Sequence, residues 1–397
     1  MTYRTLSTAH LSGKRVLLRA GFDLPMKDGT VTDTTRVEAL VPTMKHILDA
    51  GAVLVIMAHQ GRPKDGPDPE FSQKPIVPVL QKLLRVPVHF VSDCIGPEAE
   101  SAVAKAKKGE VVLLENLRFY KEEKKNDPEF ARKLAALGDV YVNDAFTNCH
   151  RDHASMIGVP ALIPGYMGLS LEQEVKHLSA VLNAPERPLT LVVSGAKMET
   201  KVPVIRRFLS SGDHILVGGC IANTLIAAEG HKVGSSKYDA EGMADAKDLL
   251  AQSGGVGSAT IHVPVDAVVA AELSDNAQKE SVPVDQIQEG SAIFDLGSQS
   301  IESYVEIIRS SRTIVWNGPL GVYEVAQFAE STKVLAAAVA KATENGATSL
   351  LGGGDTIDFL NAFNFPLSAY TFVSMGGGAM LEFISGKKFQ SLELLKE

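Results

Sequence analysis

The chain has 397 residues, enough for two or three domains at roughly 100–200 residues each. It is 45% hydrophobic and 22% charged, a balance that excludes a disordered chain. Its 47 acidic and 39 basic residues give a formal charge of −8, so the summed field attracts neither nucleic acid nor an anionic membrane. An anionic substrate must therefore be held by local positive charge.

Three cysteines, Cys94, Cys149 and Cys220, are too few and too scattered for a disulfide framework or a zinc cluster, and read as small buried hydrophobes. Residues 1–15 contain no apolar signal core, and no apolar run approaches about 18 residues. The expected location is the cytoplasm, with no membrane partner.

In chain order, strands are expected at Arg15–Ala20, Val53–Ala58, Val88–Val91, Val111–Leu114 and Asp139–Val142. They resume at Leu189–Val193, His214–Gly218, Thr260–Val263, Thr313–Trp316, Ser349–Leu351 and Tyr370–Val373. Most are continuous apolar runs, as in strands covered on both faces. Helical patterns at Thr34–Ala50, Pro128–Leu137, Ser300–Arg309 and Val325–Asn345 alternate with them. That alternation predicts α/β architecture, with two parallel sheets in preference to one very large one. Ser170–Asn183 reads as one amphipathic helix stopped by the proline-punctuated Ala184–Pro188, which places a domain boundary near residues 170–188.

In open α/β sheets, ligands bind beyond the carboxyl ends of the strands. In the first half those positions are basic: Arg19, Arg36, His59, Arg62, Arg118, His150, Arg151 and His153. One arginine there is an ordinary surface charge; several beyond successive strands form a clamp for carboxylate or phosphate. His150 and His153 have no acidic or cysteine partner at metal-ligand spacing. In the second half the same positions are glycines: SGAK at 194–197, Gly218 and Gly219, NGPLG at 317–321, GGGDT at 352–356 and MGGGA at 375–379. Such turns let backbone N–H groups meet phosphate oxygens, with Lys197 and Lys201 adding charge and Asp355 a Mg²⁺ ligand. The chain lacks G-x-x-x-x-G-K-[ST], a strand-borne G-x-G-x-x-G and G-x-S-x-G, so a P-loop enzyme, a dinucleotide enzyme and a serine hydrolase lack their signatures.

Together these segments resemble phosphoglycerate kinases over essentially the whole chain and in order. The motifs are GRP at 61–63, LLENLRFYKEE at 113–123, GDVYVNDAF at 138–146, HRDHAS at 150–155, GAK at 195–197, WNGPLGVYE at 316–324, GGGDT at 352–356 and GGGAMLEF at 376–383. The resemblance implies two Rossmann-like doubly wound domains joined by a helical hinge. Residues 1–170 would bind 3-phosphoglycerate, with 385–397 packing back on them; 171–188 would be linker and hinge, and 189–384 would bind nucleotide. It implies reversible phosphoryl transfer between Mg-ATP and the carboxylate of 3-phosphoglycerate, in line and after hinge closure, by a monomer.

Carried over by position, Gly21, Phe22, Asp23, Arg36, His59, Gln60, Gly61, Arg62, Arg118 and Arg151 would surround the acid substrate. Lys197, Lys201, Asn317, Glu324, Gly353, Gly354, Asp355 and Thr356 would hold the nucleotide, with Asp355 on the metal. Arg36, Lys201, Gly354 and Gly377 would serve the transfer itself. The acceptor is a carboxylate already ionised at neutral pH, so the site needs alignment and positive potential and no general base. Departures from the family pattern are Gly21 and Asp23 in place of Asp and Asn, Gln60 for Leu, and Thr147–Cys149 for Gly-Thr-Ala. Ser194, Met198–Thr200, Ser298 and Met375 also differ. In an extended segment Asp23 would share a side with residue 21, about 6.6 Å further along. A dehydrogenase lacks its glycine fingerprint here. A non-catalytic binding protein would have no use for the Mg-phosphate residues, whereas a weakened kinase would bind nucleotide without turnover.

Overall fold

The structure is a computed structural model and describes residues 2–64 and 66–397. Two six-stranded parallel sheets organise it. The first contains β1 (Arg15–Ala20), β2 (Val53–Met57), β3 (Val88–Val91), β4 (Val111–Leu114), β5 (Val140–Asp144) and β6 (Gly165–Met167), in the order β3-β4-β2-β1-β5-β6. Every residue of β2, β4 and β5 is buried, because helices cover both faces. Helix α1 (Thr35–Asp49) lays Val37, Leu40, Met44 and Ile47, spaced at three and four, into the core beside β1 and β2. Burying each such side chain stabilises the unit by roughly 1.5–3 kcal/mol before entropy is counted.

The second sheet contains β7 (Leu189–Ser194), β8 (His214–Gly218), β9 (Thr260–His262), β13 (Thr313–Asn317), β14 (Thr348–Gly352) and β15 (Phe372–Ser374), in the order β9-β8-β7-β13-β14-β15. Trp316, fully buried, anchors its core and donates its indole N–H to the Gly318 carbonyl at 2.8 Å. Between β9 and β13 the chain forms an antiparallel sheet, β10 (Asp266–Ala270), β11 (Lys279–Pro283) and β12 (Ala292–Leu296), ordered β11-β10-β12. In each large sheet the strand order reverses at the first strand. β1 lies between β2 and β5, and β7 between β8 and β13. A crevice beyond the carboxyl ends opens at such a point.

Chain contacts divide the molecule into a first unit running to Lys176 and including Lys388–Glu397, and a second, His177–Lys387. The division falls inside helix α2 (Leu169–Asn183), and the tail joins the first unit at Lys388. The tail is fixed there by a Tyr3–Lys396 bridge, by Arg4 donating to the Leu394 carbonyl at 2.6 Å and by Ser391 Oγ donating to the Cys149 carbonyl at 2.8 Å.

Three expectations are corrected. The small antiparallel sheet was not foreseen, because β11 (KESVP) is a polar, exposed edge with no apolar period. β6 is a three-residue edge strand that lacks a long apolar run. The helix expected at Val325–Asn345 begins only at Glu330, where buried Asp295 accepts the N–H and hydroxyl of Ser331. Cys94 and Cys149 are buried and Cys220 half-buried, all three free thiols. Among the described residues no helix is long and apolar enough to cross a membrane.

Candidate active site

On the first sheet, four neighbouring strands deliver the basic residues to one edge. Beyond β1 the chain turns at Gly21–Asp23; beyond β2 come His59–Arg62, beyond β4 Arg118, and beyond β5 Thr147 and Arg151. Arg36, in the first turn of α1, donates to the carbonyls of Phe22 (3.2 Å) and Asp23 (2.7 Å). Arg118 is buried and donates one N–H to the Gly61 carbonyl at 2.7 Å, while its Nε–H is buried without a partner. Buried Asn116 organises this corner. Its Oδ1 accepts from the N–H of Gln60 (3.1 Å) and of Arg118 (3.0 Å), and its Nδ2 donates to the Gln60 carbonyl at 2.8 Å.

The electrostatics follow from burial. Burial lowers the Arg118 pKa to about 10, with the charges of Arg151 and Arg19 adding to the effect. Burial pushes His59 down to about 3, and Arg19 and Arg118 push the same way against Asp23. His153 is also lowered to about 3 by burial and by Arg19, Arg118 and Arg151. For Asp23 burial acts upward, but the hydrogen bond from His59, the Gly61 N–H and the charge of Arg118 outweigh it and hold the carboxyl below its usual range. At neutral pH the corner therefore contains charged arginines, neutral His59 and His153 imidazoles and the ionised carboxylate of Asp23. An uncompensated arginine donor in such a place is chemically suited to an anion.

On the second sheet the material is backbone. A cleft of about 260 Å³ lies between Ser194–Gly195, Asn317–Pro319, Gly353–Thr356 and Gly377–Gly378. Helices α4 (Gly354–Ala362) and α5 (Gly378–Ile384) both begin there, so their free N–H groups are available to anion oxygens. Gly353 (φ +109°) and Gly318 (φ +96°) leave no room for a side chain. A Cβ would come within 2.7 Å of Asn317 Nδ2 in the first case and 2.8 Å of the Ser194 carbonyl oxygen in the second. Lys201 is buried, donates to Asn317 Oδ1 at 2.5 Å, and has its pKa lowered to about 8 by burial against the opposing charge of Asp355.

Next to this cleft, a largely apolar cavity of about 440 Å³ is lined by Gly219, Ile226, Phe294, Leu320, Gly321 and Val322, among others. Helix α3 (Gly219–Ala228) forms one wall, and a Cβ on Gly219 would meet Ser194 Oγ at 2.6 Å, so the cavity adjoins the glycine cleft.

A phosphoglycerate kinase family model matches residues 6–387. The chain is 43% identical over 396 residues to the phosphoglycerate kinase of Methylorubrum extorquens strain PA1, covering 99% of this chain and 98% of that one. It is 42% identical to that of Francisella philomiragia, covering 100% and 99%. Its fold matches the solved phosphoglycerate kinase of Coxiella burnetii with a TM-score of 0.90 at 35% identity, over 99% of both chains. The match to that of Pyrococcus horikoshii OT3 has a TM-score of 0.85 at 31% identity, over 99% of this chain and 98% of that one. The chain belongs to the phosphoglycerate kinase family.

A phosphoglycerate kinase is a phosphotransferase with a carboxyl acceptor, and several residues expected to touch substrate have other duties in this chain. The Phe22 side chain is fully buried in the core, so only its carbonyl faces the site, accepting from Arg36. Gln60 spends both ends of its amide on Leu24, donating to its carbonyl at 2.6 Å and accepting its N–H at 2.9 Å. Thr356 Oγ1 accepts the Gly318 N–H at 2.8 Å and so braces the loop. Asp23 is not extended: with φ +50° it turns its carboxylate to the Gly61 N–H (2.7 Å), so the expected same-side relation to residue 21 fails. Beside Gly21 lie instead Ala145 and Thr147; an added Cβ would stand 3.2 Å from Ala145 Cα and 3.3 Å from Thr147 Oγ1. Arg62, Lys197, Glu324, Gly354 and Asp355 are exposed, and Gly377 (φ +53°) precedes α5.

Sequence reasoning missed Asn116, whose only signal was its place two residues beyond β4, within the LLENLRFYKEE motif. It also missed the cavity wall contributed by the small antiparallel sheet. Finally, it found no acidic neighbour for His153, yet buried Glu123 stands 3.7 Å from its Nδ1. Among the described residues no group of three or more acidic, histidine or cysteine side chains is placed to hold a metal.

Proposed function

We propose that the chain catalyses reversible phosphoryl transfer between ATP and 3-phosphoglycerate in the cytoplasm, acting as a monomer with no macromolecular partner. In this reading the first unit holds the acid and the second the nucleotide. The observation that carries it is the buried, unpartnered Nε–H of Arg118 among Arg36 and Arg151, at the crevice of an all-parallel sheet. Arg36, His59, Arg62, Arg118 and Arg151 bind and orient the phosphoglycerate. Gly353, Gly354, Gly377 and the N-termini of α4 and α5 receive phosphate oxygens, Lys201 and Lys197 add positive charge, the apolar cavity takes the base, and Glu324 the ribose hydroxyls.

An exposed carboxylate, Asp355 in the first turn of α4, suits Mg²⁺, which takes few protein ligands and completes its shell with phosphate and water. When bound it would neutralise charge on the polyphosphate. The acceptor carboxylate needs no deprotonation, so the protein's contribution is alignment, positive potential and exclusion of water once the two substrates are brought together in line. The test is steady-state ATP consumption dependent on 3-phosphoglycerate and Mg²⁺, coupled to NADH oxidation through glyceraldehyde-3-phosphate dehydrogenase. Turnover lost in Arg36→Ala supports the reading. Mg-ADP binding without turnover in the unaltered protein contradicts it and points to a weakened member of the family.

A further inference from the structure

We propose that Arg19 is a positioning residue of the acceptor site: it dictates which ring nitrogen of His59 carries the proton, so that His59 presents a neutral Nε2–H donor toward Asp23. The argument rests on donor and acceptor inventory. Arg19, the penultimate residue of β1, is fully buried. Its Nε–H donates to Ser155 Oγ at 2.9 Å, one terminal nitrogen donates to the Ala20 carbonyl at 2.5 Å, and the other meets His59 Nδ1 at 3.1 Å. A guanidinium has no acceptor atom, so Nδ1 must accept. A neutral imidazole accepting at Nδ1 carries its proton at Nε2, which lies 3.5 Å from Asp23 Oδ2.

A second proton on Nδ1 would set two donors against each other, so the same contact disfavours the imidazolium. The groups facing the ring act together. Arg19 from β1 and Arg118 from beyond β4 oppose its charge, Asp23 favours it, and His153 nearby is itself held neutral. Arg19 is braced from behind by a chain of fixed direction. Ser155 Oγ accepts from Arg19, so its own proton goes to Glu123 Oε1 at 2.6 Å, and fully buried Glu123 also takes the Ser155 N–H at 2.9 Å. Proton positions are thereby set from Glu123 through Ser155, Arg19 and His59 to Asp23 and the Gly61 N–H. It follows that the positive charge of the pocket comes from arginines alone and does not change as His59 meets ordinary pH. The relevance to acceptor binding rests on the reading of the site given above.

The experiment is a two-bond ¹⁵N–¹H correlation spectrum of the full chain with ¹⁵N-labelled histidines, His59 being assigned by its loss in His59→Gln. The expected result without ligand is one protonated nitrogen, Nε2, unchanged between about pH 5.5 and 8. In Arg19→Met the His59 signals should move toward a mixture of tautomers and titrate nearer the ordinary value of about 6.5. A proton on Nδ1 in the unaltered protein overturns the proposal, as does titration of His59 between about pH 6 and 7. So does an unchanged pure Nε2–H form in Arg19→Met. The unaltered protein decides the first two outcomes even if that variant fails to fold. Adding 3-phosphoglycerate tests the other claim separately: unmoved His59 signals would remove the acceptor reading while leaving the tautomer assignment in place.

Discussion

In a chain of net charge −8, the two sheets present different materials at their carboxyl edges. The first uses long side chains anchored by their neighbours' carbonyls: Arg36 on Phe22 and Asp23, Arg118 on Gly61. The second uses main-chain N–H groups exposed by Gly353, Gly354 and Gly377, with a single buried lysine. The first should therefore be vulnerable to the loss of side chains, and the second to their addition.

The largest effect should come from Arg36→Ala. Removal of a charge placed at a transferring phosphoryl group lowers turnover by roughly 10³–10⁵. In the coupled assay a loss of less than tenfold would show that the first unit's charge is not engaged in transfer. The reciprocal change is Gly353→Ala. A Cβ at φ +109° strains the backbone by about 1–3 kcal/mol and presses on Asn317, which positions Lys201. Calorimetry should show Mg-ADP affinity falling about tenfold or more, with 3-phosphoglycerate affinity unaltered.

A smaller effect distinguishes the lysine from the arginines. Its pKa is lowered to about 8, so its ammonium is present below that pH and lost above it. The pH profile of kcat/KM for nucleotide should turn down as pH rises through about 8, and Lys201→Arg should move that limb upward. The smallest expected change is Gly21→Asp. With Ala145 Cα and Thr147 Oγ1 against the added Cβ, and the ionised Asp23 nearby, the new carboxylate should bring no gain in 3-phosphoglycerate affinity. Gly21→Asp with Thr147→Gly should recover more than either change alone; a large gain from Gly21→Asp by itself would refute this account of the loop.

Much of this was legible in the sequence because parallel strands buried on both faces are written as apolar runs, and because the residues after them mark the ligand edge. Arg118 and Lys201 were singled out that way, and the structure buries both. What escaped depends on contacts distant in the chain. Nothing local in KESVP shows that it pairs with β10, the strand that with β12 helps wall the apolar cavity. The sequence around Gln60 does not show that its amide is consumed by Leu24, 36 residues earlier. Asp23 was misplaced because extended periodicity was applied past Ala20, where β1 has ended and the backbone turns left-handed. Glu123 and Ser155 lie 32 residues apart, and only the fold brings them behind Arg19.

The central claim is that each unit carries one substrate site by itself. The most direct test is calorimetric titration of Arg118→Ala and Gly353→Ala with 3-phosphoglycerate and Mg-ADP separately. The account predicts a double dissociation: Arg118→Ala loses the acid and keeps the nucleotide, and Gly353→Ala does the opposite. Loss of nucleotide binding in a folded Arg118→Ala, or of acid binding in a folded Gly353→Ala, would contradict it.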